Sequence, residues 1–217
     1  MSLGRRLLAA AVLGVLAGCG PQYTAPESAE TPERLVNLLA DGMDGWTAHP
    51  ADPDGAAWTF EDGVLTCMGY PPGYLRTNTA YRDYRLAVEW RWLERPGNSG
   101  VLLHVHEPDR VWPRSIEAQL AADNAGDFWV IGGASFAEHT ARFSRRTPKR
   151  FAAAERPIGE WNRMEITCDG DRIEVWVNGI RQNVATEASL EHGYIALQSE
   201  GAPIAFRRVH LRPLPRD

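Results

Sequence analysis

Short segments in which apolar residues alternate with other residues, each ended by a turn signal, make up most of this sequence. The longest covers residues 84–93, where every second residue from Leu86 to Trp92 is large and apolar. Such alternation is typical of a strand with one face in a core. Pairs such as Asn178-Gly179 are typical of tight hairpin turns. No amphipathic segment of ordinary helix length follows residue 33. The pattern therefore predicts an all-β domain built as a two-sheet antiparallel sandwich or jelly roll.

The predicted strands are short and are separated by glycine, proline and asparagine. They cover residues 58–60, 64–68, 84–93, 100–106, 115–121, 127–131, 163–167, 172–177, 194–200 and 204–211. The segment 34–40 is expected to make a short helical turn.

The first 32 residues are expected to lie outside the folded domain. Two arginines precede an apolar run at residues 7–17, which is too short to span a bilayer as a helix. The run ends in Leu16-Ala17-Gly18-Cys19, which resembles the bacterial lipoprotein box. We therefore predict a signal peptide at 1–18, a lipidated Cys19 with a flexible tether at 19–32, and one β-sandwich domain at 33–217. An ordinary secretory signal with an incidental cysteine is the alternative.

Loss of the signal peptide would leave a net charge near −7, since it removes two of the 23 basic residues and none of the 28 acidic ones. An acidic chain argues against a nucleic-acid partner. The lipid predicts attachment to the bacterial cell envelope, and Gly20, in place of an aspartate, favours the outer membrane and its periplasmic face. Cys67 and Cys168 follow, and their spacing leaves open whether they form a disulfide or stay as buried thiols.

The stretch from 98 to 120 carries the first candidate site. Alternation along the strand at 100–106 places Val101, Leu103 and Val105 toward a core and His104 and His106 on the opposite face. The strand at 115–121 likewise directs Ile116, Ala118 and Leu120 inward, and Glu117 and Gln119 outward. If the two strands are neighbours, His104, His106, Glu117 and Gln119 share one surface. On the strand at 194–200, Gln198 and Glu200 lie opposite the core residues Ile195 and Leu197.

The histidine pair is also a candidate metal site. His104 and His106, two residues apart on a strand, project together, and imidazole is a ligand for zinc, manganese or iron. Glu117 or His139 is the expected third ligand. The alternative is two solvent-facing histidines at a strand end, so a divalent metal stays a possible cofactor and none is certain.

Seven short motifs, in this order, resemble those of one family. They are Leu38-Leu39-Ala40-Asp41-Gly42-Met43-Asp44-Gly45-Trp46, Asn98-Ser99-Gly100-Val101, Ile116-Glu117-Ala118-Gln119, Gly159-Glu160-Trp161-Asn162, Val177-Asn178-Gly179, Ile195-Ala196-Leu197-Gln198-Ser199-Glu200-Gly201 and Phe206-Arg207-Arg208-Val209. Together they resemble the 3-keto-disaccharide hydrolase family, also described as 3-keto-glucoside 1,2-lyases and 3-keto-2-hydroxyglucal hydratases, over residues 33–214. The resemblance implies a fold similar to concanavalin A-like lectins and glucanases, with a sugar-binding sheet.

The resemblance also implies a chemistry. A ketone at sugar C3 acidifies the C2 hydrogen, so a base can remove it while the C1 substituent is expelled, and water can add back. Glu117 or His104 is the candidate base. Gln119, Arg114 or a metal ion would hold the enolate oxygen, and Glu200 or His106 would assist the leaving group. The expected partner is a 3-keto-glucoside or a related sugar.

Two other functions remain open at this point. Glu89 and Glu117 would be the two carboxylates of an ordinary glycoside hydrolase if they met across a sheet. A non-catalytic carbohydrate-binding module would need only stacking aromatics such as Trp112, Trp129 and Tyr194 and hydrogen-bonding groups such as Gln198. Six basic residues lie between 142 and 156, and they form either a solvated face or a rim that meets an anionic or hydroxyl-rich ligand. They are Arg142, Arg145, Arg146, Lys149, Arg150 and Arg156.

Overall fold

A computed structural model describes residues 34–215, and these residues form strands and turns without a helix. The expected signal peptide, lipidated Cys19 and tether lie outside the described residues. None of the residues described forms a helix that could cross a membrane.

Fifteen strands follow one another along the described chain. They are β1 (Val36–Asn37), β2 (Trp46–His49), β3 (Trp58–Glu61), β4 (Val64–Cys67), β5 (Gly73–Thr77), β6 (Tyr84–Trp92), β7 (Gly100–His106), β8 (Arg114–Gln119), β9 (Phe128–Ile131), β10 (Arg146–Thr147), β11 (Asn162–Asp169), β12 (Arg172–Val177), β13 (Ile180–Ala185), β14 (Tyr194–Ser199) and β15 (Ile204–Pro213).

The strands form two antiparallel sheets. The eight-stranded sheet has the order β13-β12-β11-β6-β15-β4-β3, and β1 also pairs with β15. The seven-stranded sheet has the order β10-β9-β8-β7-β14-β5-β2. Because non-consecutive strands lie side by side in both sheets, the topology is that of a jelly-roll sandwich, as the alternation predicted.

One apolar cluster fills the space between the sheets. It contains the predicted inward faces of β6, β8 and β14, with Trp90, Ile116 and Leu197 all fully buried. Burial of the apolar face of each strand is the main source of stability in such a sandwich. The outward residues of the same strands are left free to form surfaces, and one of these surfaces holds the site.

The N-terminal part of the described chain differs from the prediction. Residues 34–40 were expected to make a helical turn, but Val36–Asn37 is a short strand paired with β15. Leu38 holds this arrangement, because its amide donates to the carbonyl of Val209 at 2.8 Å and its carbonyl accepts from the indole of Trp46 at 2.7 Å. Strands β1, β2, β5, β10 and β13 were not predicted.

The two cysteines of the described chain are free and buried. Cys67 lies on β4 and Cys168 on β11, and β15 and β6 separate these strands in the same sheet. Burial raises the pKa of the Cys168 thiol to about 12, so it stays protonated. Of the two alternatives that the spacing left open, the structure has the buried thiols.

Candidate active site

A pocket of about 120 Å³ lies on the outer face of the seven-stranded sheet. Alternation along β8 directs Glu117 and Gln119 into it, and β14 directs Gln198. Glu200 follows β14 directly, and Asn98 precedes β7 beside it, where the two residues form an isolated bridge. The other residues that line the pocket are Trp112, Trp129, Ile131 and Arg145. The site therefore combines residues far apart in sequence.

Gly100 makes room for the central carboxyl group. It lies opposite Gln119 in the register of β7 and β8. A Cβ atom at Gly100 would meet Glu117 Oε1 at 2.3 Å and Glu117 Cγ at 2.7 Å. The preceding Ser99 donates its hydroxyl to the carbonyl of Gln198 at 2.7 Å. The motif Asn98-Ser99-Gly100 thus connects β7 to β14 and leaves the space that the Glu117 side chain occupies.

Several buried polar atoms that line this pocket have no hydrogen-bond partner within the described chain. They are Glu117 Oε1, both amide atoms of Gln198, Asn98 Oδ1 and Trp129 Nε1. Buried polar groups are nearly always hydrogen-bonded in folded proteins, and leaving one unpaired is costly. These four side chains offer both donors and acceptors. Their arrangement is therefore suited to a small ligand rich in hydroxyl and carbonyl groups.

The surroundings of Glu117 and Glu200, the two carboxyl groups of the pocket, shift their pKa values differently. Burial, followed by the nearby charge of Glu200, raises the pKa of Glu117 to about 8, although Arg145 opposes this shift. Burial also raises the pKa of Glu200, but a hydrogen bond from Asn98 and the charge of Arg145 oppose the change. Glu117 is 4% exposed and holds its proton at neutral pH, so the pocket contains a protonated carboxyl group.

Gln119 has a narrower role than a free catalytic amide. Its Oε1 accepts hydrogen bonds from the backbone amides of Leu120 and Ala121, both at 2.9 Å. These bonds fix the side chain at the end of β8. Only its amide nitrogen remains for contact with a ligand.

The predicted position of His104 was wrong. The alternation holds as far as Leu103, but the register of β7 shifts between Leu103 and His106, and His104 has a positive φ of 52°. The bulge turns the His104 ring away from the pocket. The ring instead packs 5.7 Å from the ring of Tyr84. Val105 was expected in the core. It instead joins Leu102 in a small apolar cluster on the face of the sheet opposite the core.

His104 and His106 do not fit a metal site. The ring nitrogens of His104 contact the backbone carbonyls of Leu190 at 2.9 Å and Arg82 at 3.2 Å, and burial lowers its pKa. Nε2 of His106 contacts the carbonyl of His192 at 3.0 Å. Neither histidine lines the pocket of Glu117, and the residues described contain no group of three or more histidine, cysteine or acidic side chains placed to hold a metal ion.

His139, the other candidate third ligand, contacts the hydroxyl of Thr147 at 2.9 Å. The donor set that the sequence suggested for a metal is therefore dispersed.

Two further candidates lie away from the pocket. Glu89 is on β6 in the eight-stranded sheet, where it accepts hydrogen bonds from Arg207 at 2.7 Å and Arg208 at 3.2 Å. It therefore cannot pair with Glu117, which belongs to the other sheet. Arg114 is exposed at the start of β8 and does not line the pocket.

Asn98 was not predicted as a site residue, and Arg145 was named only as one of six basic residues that form either a solvated face or a rim. Asn98 belongs to a family motif, and that motif was the available signal. Arg145 belongs to the basic loop, whose other members turn elsewhere: Arg146 binds Asp127 at 2.5 Å, and the side chain of Lys149 contacts the carbonyl of Asp123. Only Arg145 of that loop lines the pocket, and its guanidinium lies 5.7 Å from the ring of Trp129.

The fold and pocket define a jelly-roll sandwich with a small polar pocket on the outer face of one sheet. Solved structures with this fold include a protein of Parabacteroides distasonis classed as a glycosyl hydrolase, at 20% identity and a TM-score of 0.62, covering 83% of this chain and 94% of that one. The carbohydrate-binding module CBM66 of Bacillus subtilis has 11% identity and a TM-score of 0.59, with 77% and 95% covered. The β-glucanase of Bacillus licheniformis has 13% identity and a TM-score of 0.51, with 80% and 94% covered.

The chain belongs to the family of 3-keto-alpha-glucoside-1,2-lyase-like domains, whose model matches residues 35–212. This match confirms the resemblance drawn from the seven motifs. The family indicates a glycosyl hydrolase-like function or carbohydrate binding. A search of curated proteins found no match.

Proposed function

We propose that the pocket binds a sugar oxidised at C3 and cleaves its glycosidic bond by elimination, followed by addition of water. The observation that carries the proposal is the group of unpaired buried polar atoms around Glu117, in a pocket that also holds a second carboxyl group. A ketone and ring hydroxyls would supply the missing acceptors and donors. Trp112, which is 41% exposed, and Trp129 would contact the faces of the sugar.

The reaction needs one base and one acid. The base removes the proton from C2, the electron pair forms a double bond between C2 and C1, and the C1–O bond breaks. The departing oxygen takes a proton from the acid. The product is an enone, in which the new C1–C2 double bond is conjugated with the C3 ketone. Addition of water across C1 and C2 completes a net hydrolysis.

The two carboxyl groups suit these two roles. Groups whose surroundings separate their pKa values divide into an acid and a base. Glu117, with a pKa of about 8, is protonated at neutral pH and would donate to the departing oxygen. Glu200 has more solvent around it and the support of Asn98, so it would be the base at C2. The sequence had suggested the opposite assignment, with Glu117 as the base.

Charge on the ketone oxygen grows as the C2 proton leaves. The positive charge of Arg145 acts on both carboxyl groups, and the amide of Gln198 has a free donor. A cation and a fixed amide directed at the developing oxyanion would lower the barrier. We assign Arg145 and Gln198 this role, and Gln119 a contact through its amide nitrogen.

The test uses the purified protein with 3-keto-glucosides that carry either a poor alkyl leaving group or a good nitrophenyl one. Ultraviolet absorbance would follow the conjugated enone. Glu200→Gln should lose turnover on both substrates. Glu117→Gln should lose it on the alkyl glycoside only, because a good leaving group departs without a proton. Glu61→Gln, which changes an exposed carboxylate on β3, is the matched control.

Two outcomes would contradict parts of this assignment. Retained activity of Glu117→Gln and Glu200→Gln on the alkyl glycoside would remove both residues from the chemistry. The reverse pattern, with Glu117→Gln inactive on both substrates, would restore Glu117 as the base. Absence of an enone from wild type, together with tight binding of unoxidised sugars, would instead make the chain a binding module, the class of the CBM66 neighbour.

We also propose that the chain is a lipoprotein of the bacterial cell envelope, held at the outer membrane by a lipid on Cys19. The support is the run of small residues before this cysteine and the glycine that follows it. Incorporation of labelled palmitate into wild type, and its loss in Cys19→Ser, would test the anchor. Equal labelling of both would contradict it.

A further inference from the structure

A larger depression lies on the opposite side of the molecule, on the outer face of the eight-stranded sheet. Its volume is about 620 Å³, within the range of ligand-binding clefts. Residues of β15, β6, β11 and β12 line it. Neighbouring strands are about 4.8 Å apart, so four strands make a trough about 14 Å across. None of the catalytic residues proposed above belongs to it.

One side of the trough is cationic. Arg85 of β6 lies directly opposite Arg212 of β15 in the sheet register, and both line the trough. Like charges placed opposite each other destabilise a sheet unless something neutralises them. No acidic side chain among residues 34–215 forms an ion pair with either arginine. His210 extends the same side along β15.

The other side has a different chemistry. Glu165 of β11 lies opposite Trp176 of β12, and Glu174 lies two register positions away from this pair. Glu165 pairs with Arg163 at 3.0 Å, and Glu174 pairs with Arg172. Trp176 is 36% exposed, so part of its indole ring is accessible from the trough. The residues between the two sides are small. Ala87 lies between Glu165 and His210 across the strands, and Thr167 lies next to Arg85. Carboxylates accept hydrogen bonds from hydroxyl groups, and an indole stacks on a sugar ring.

We propose that this trough is a second binding site, for an acidic oligosaccharide such as a chain of uronic acids. The unpaired Arg85 and Arg212 bind carboxylates of the sugar, while Glu165, Glu174 and Trp176 bind its hydroxyls and ring faces. A ligand that alternates hydroxyl and carboxylate groups meets both sides favourably.

The test measures binding of trigalacturonate to the purified protein by calorimetry, with the methyl-esterified trimer as a neutral comparison. Wild type should bind the acidic trimer, and affinity should fall with added salt. The double variant Arg85→Gln/Arg212→Gln should weaken this binding by roughly tenfold or more, since it removes two charge-assisted contacts. Trp176→Ala should weaken both trimers. Arg142→Gln/Arg150→Gln removes the same charge from an exposed loop. This double variant should leave the affinities for both trimers unchanged.

Several outcomes would overturn the proposal. An equal loss of affinity in both arginine double variants would show attraction by net charge alone. No binding of trigalacturonate by wild type would exclude the ligand class, and binding to vesicles rich in phosphatidylglycerol in its place would make the face a membrane contact. Circular dichroism and thermal unfolding would confirm that the variants are folded. The result is separable from the proposed catalysis, because Glu117→Gln should bind trigalacturonate as wild type does.

Discussion

The buried proton of Glu117 should make the stability of the protein depend on pH. The pKa of Glu117 is about 8 in the folded protein, against 4.5 for an ordinary glutamate. Between these values the folded state keeps a proton that the unfolded chain releases, so the contribution of Glu117 to stability is fully present below about pH 4.5 and is lost as pH rises toward 8. At about 1.36 kcal/mol per pH unit, the loss amounts to roughly 4 to 5 kcal/mol. Above the folded pKa both states are ionised, and the dependence ends.

The variant Glu117→Gln removes this titration while keeping the shape of the side chain. We expect it to match wild type near pH 5 and to exceed it by several kcal/mol near pH 9, a gain of roughly 10 °C in Tm for a domain of this size. The measurement is thermal unfolding followed by tryptophan fluorescence, in steps from pH 5 to 9 at constant ionic strength. The curve of Glu61→Gln should run parallel to that of wild type. A constant difference between Glu117→Gln and wild type across this range would refute the reasoning.

Three further predictions concern the same neighbourhood. Gly100→Ala should displace the Glu117 side chain, because the new Cβ would lie 2.3 Å from Oε1; we expect a folded protein, destabilised by about 1–3 kcal/mol in urea unfolding, that no longer turns over its sugar. Arg145→Gln should raise the pH at which the loss of stability ends, because Arg145 lowers the pKa of Glu117. Glu200→Gln should lower that pH, because the charge of Glu200 raises the same pKa, and an identical pH in both variants would contradict this. His104→Ala should cost roughly 2–4 kcal/mol in thermal unfolding, since a buried carbonyl loses its hydrogen-bond donor and the missing ring leaves a cavity. It should leave sugar binding unchanged, and a selective loss of binding would return His104 to the site.

The alternation of side chains predicted the faces of the strands but not their neighbours. Glu117, Gln198 and Glu200 reach the pocket as the pattern indicated, because two-residue periodicity is a local property of a strand. Glu89 was placed on the correct face of β6, yet β6 belongs to the other sheet. Sheet membership depends on contacts between residues distant in sequence, which alternation does not encode.

A departure from regular strand geometry explains why the predicted position of His104 was wrong. His104 follows three correctly placed residues, Val101, Leu102 and Leu103, but its positive φ introduces a bulge that reverses the direction of the next side chains. Neither histidine nor its neighbours carry a sequence signal for such a bulge. Arg145 lies in a loop without period, so only the structure could select it from six basic residues in that segment.

The position of β15 has a consequence for how the molecule is made. This strand, Ile204–Pro213, pairs with both β6 and β4 in the middle of the eight-stranded sheet. The sheet therefore remains in two halves until the last residues of the domain have left the ribosome. The sandwich can close only after β15 has been synthesised, and pairing of such distant segments is slow. Until then the open edges of β6 and β4 are exposed to other chains. A chaperone that binds extended segments should therefore associate with chains that stop before residue 204 and release chains that include β15.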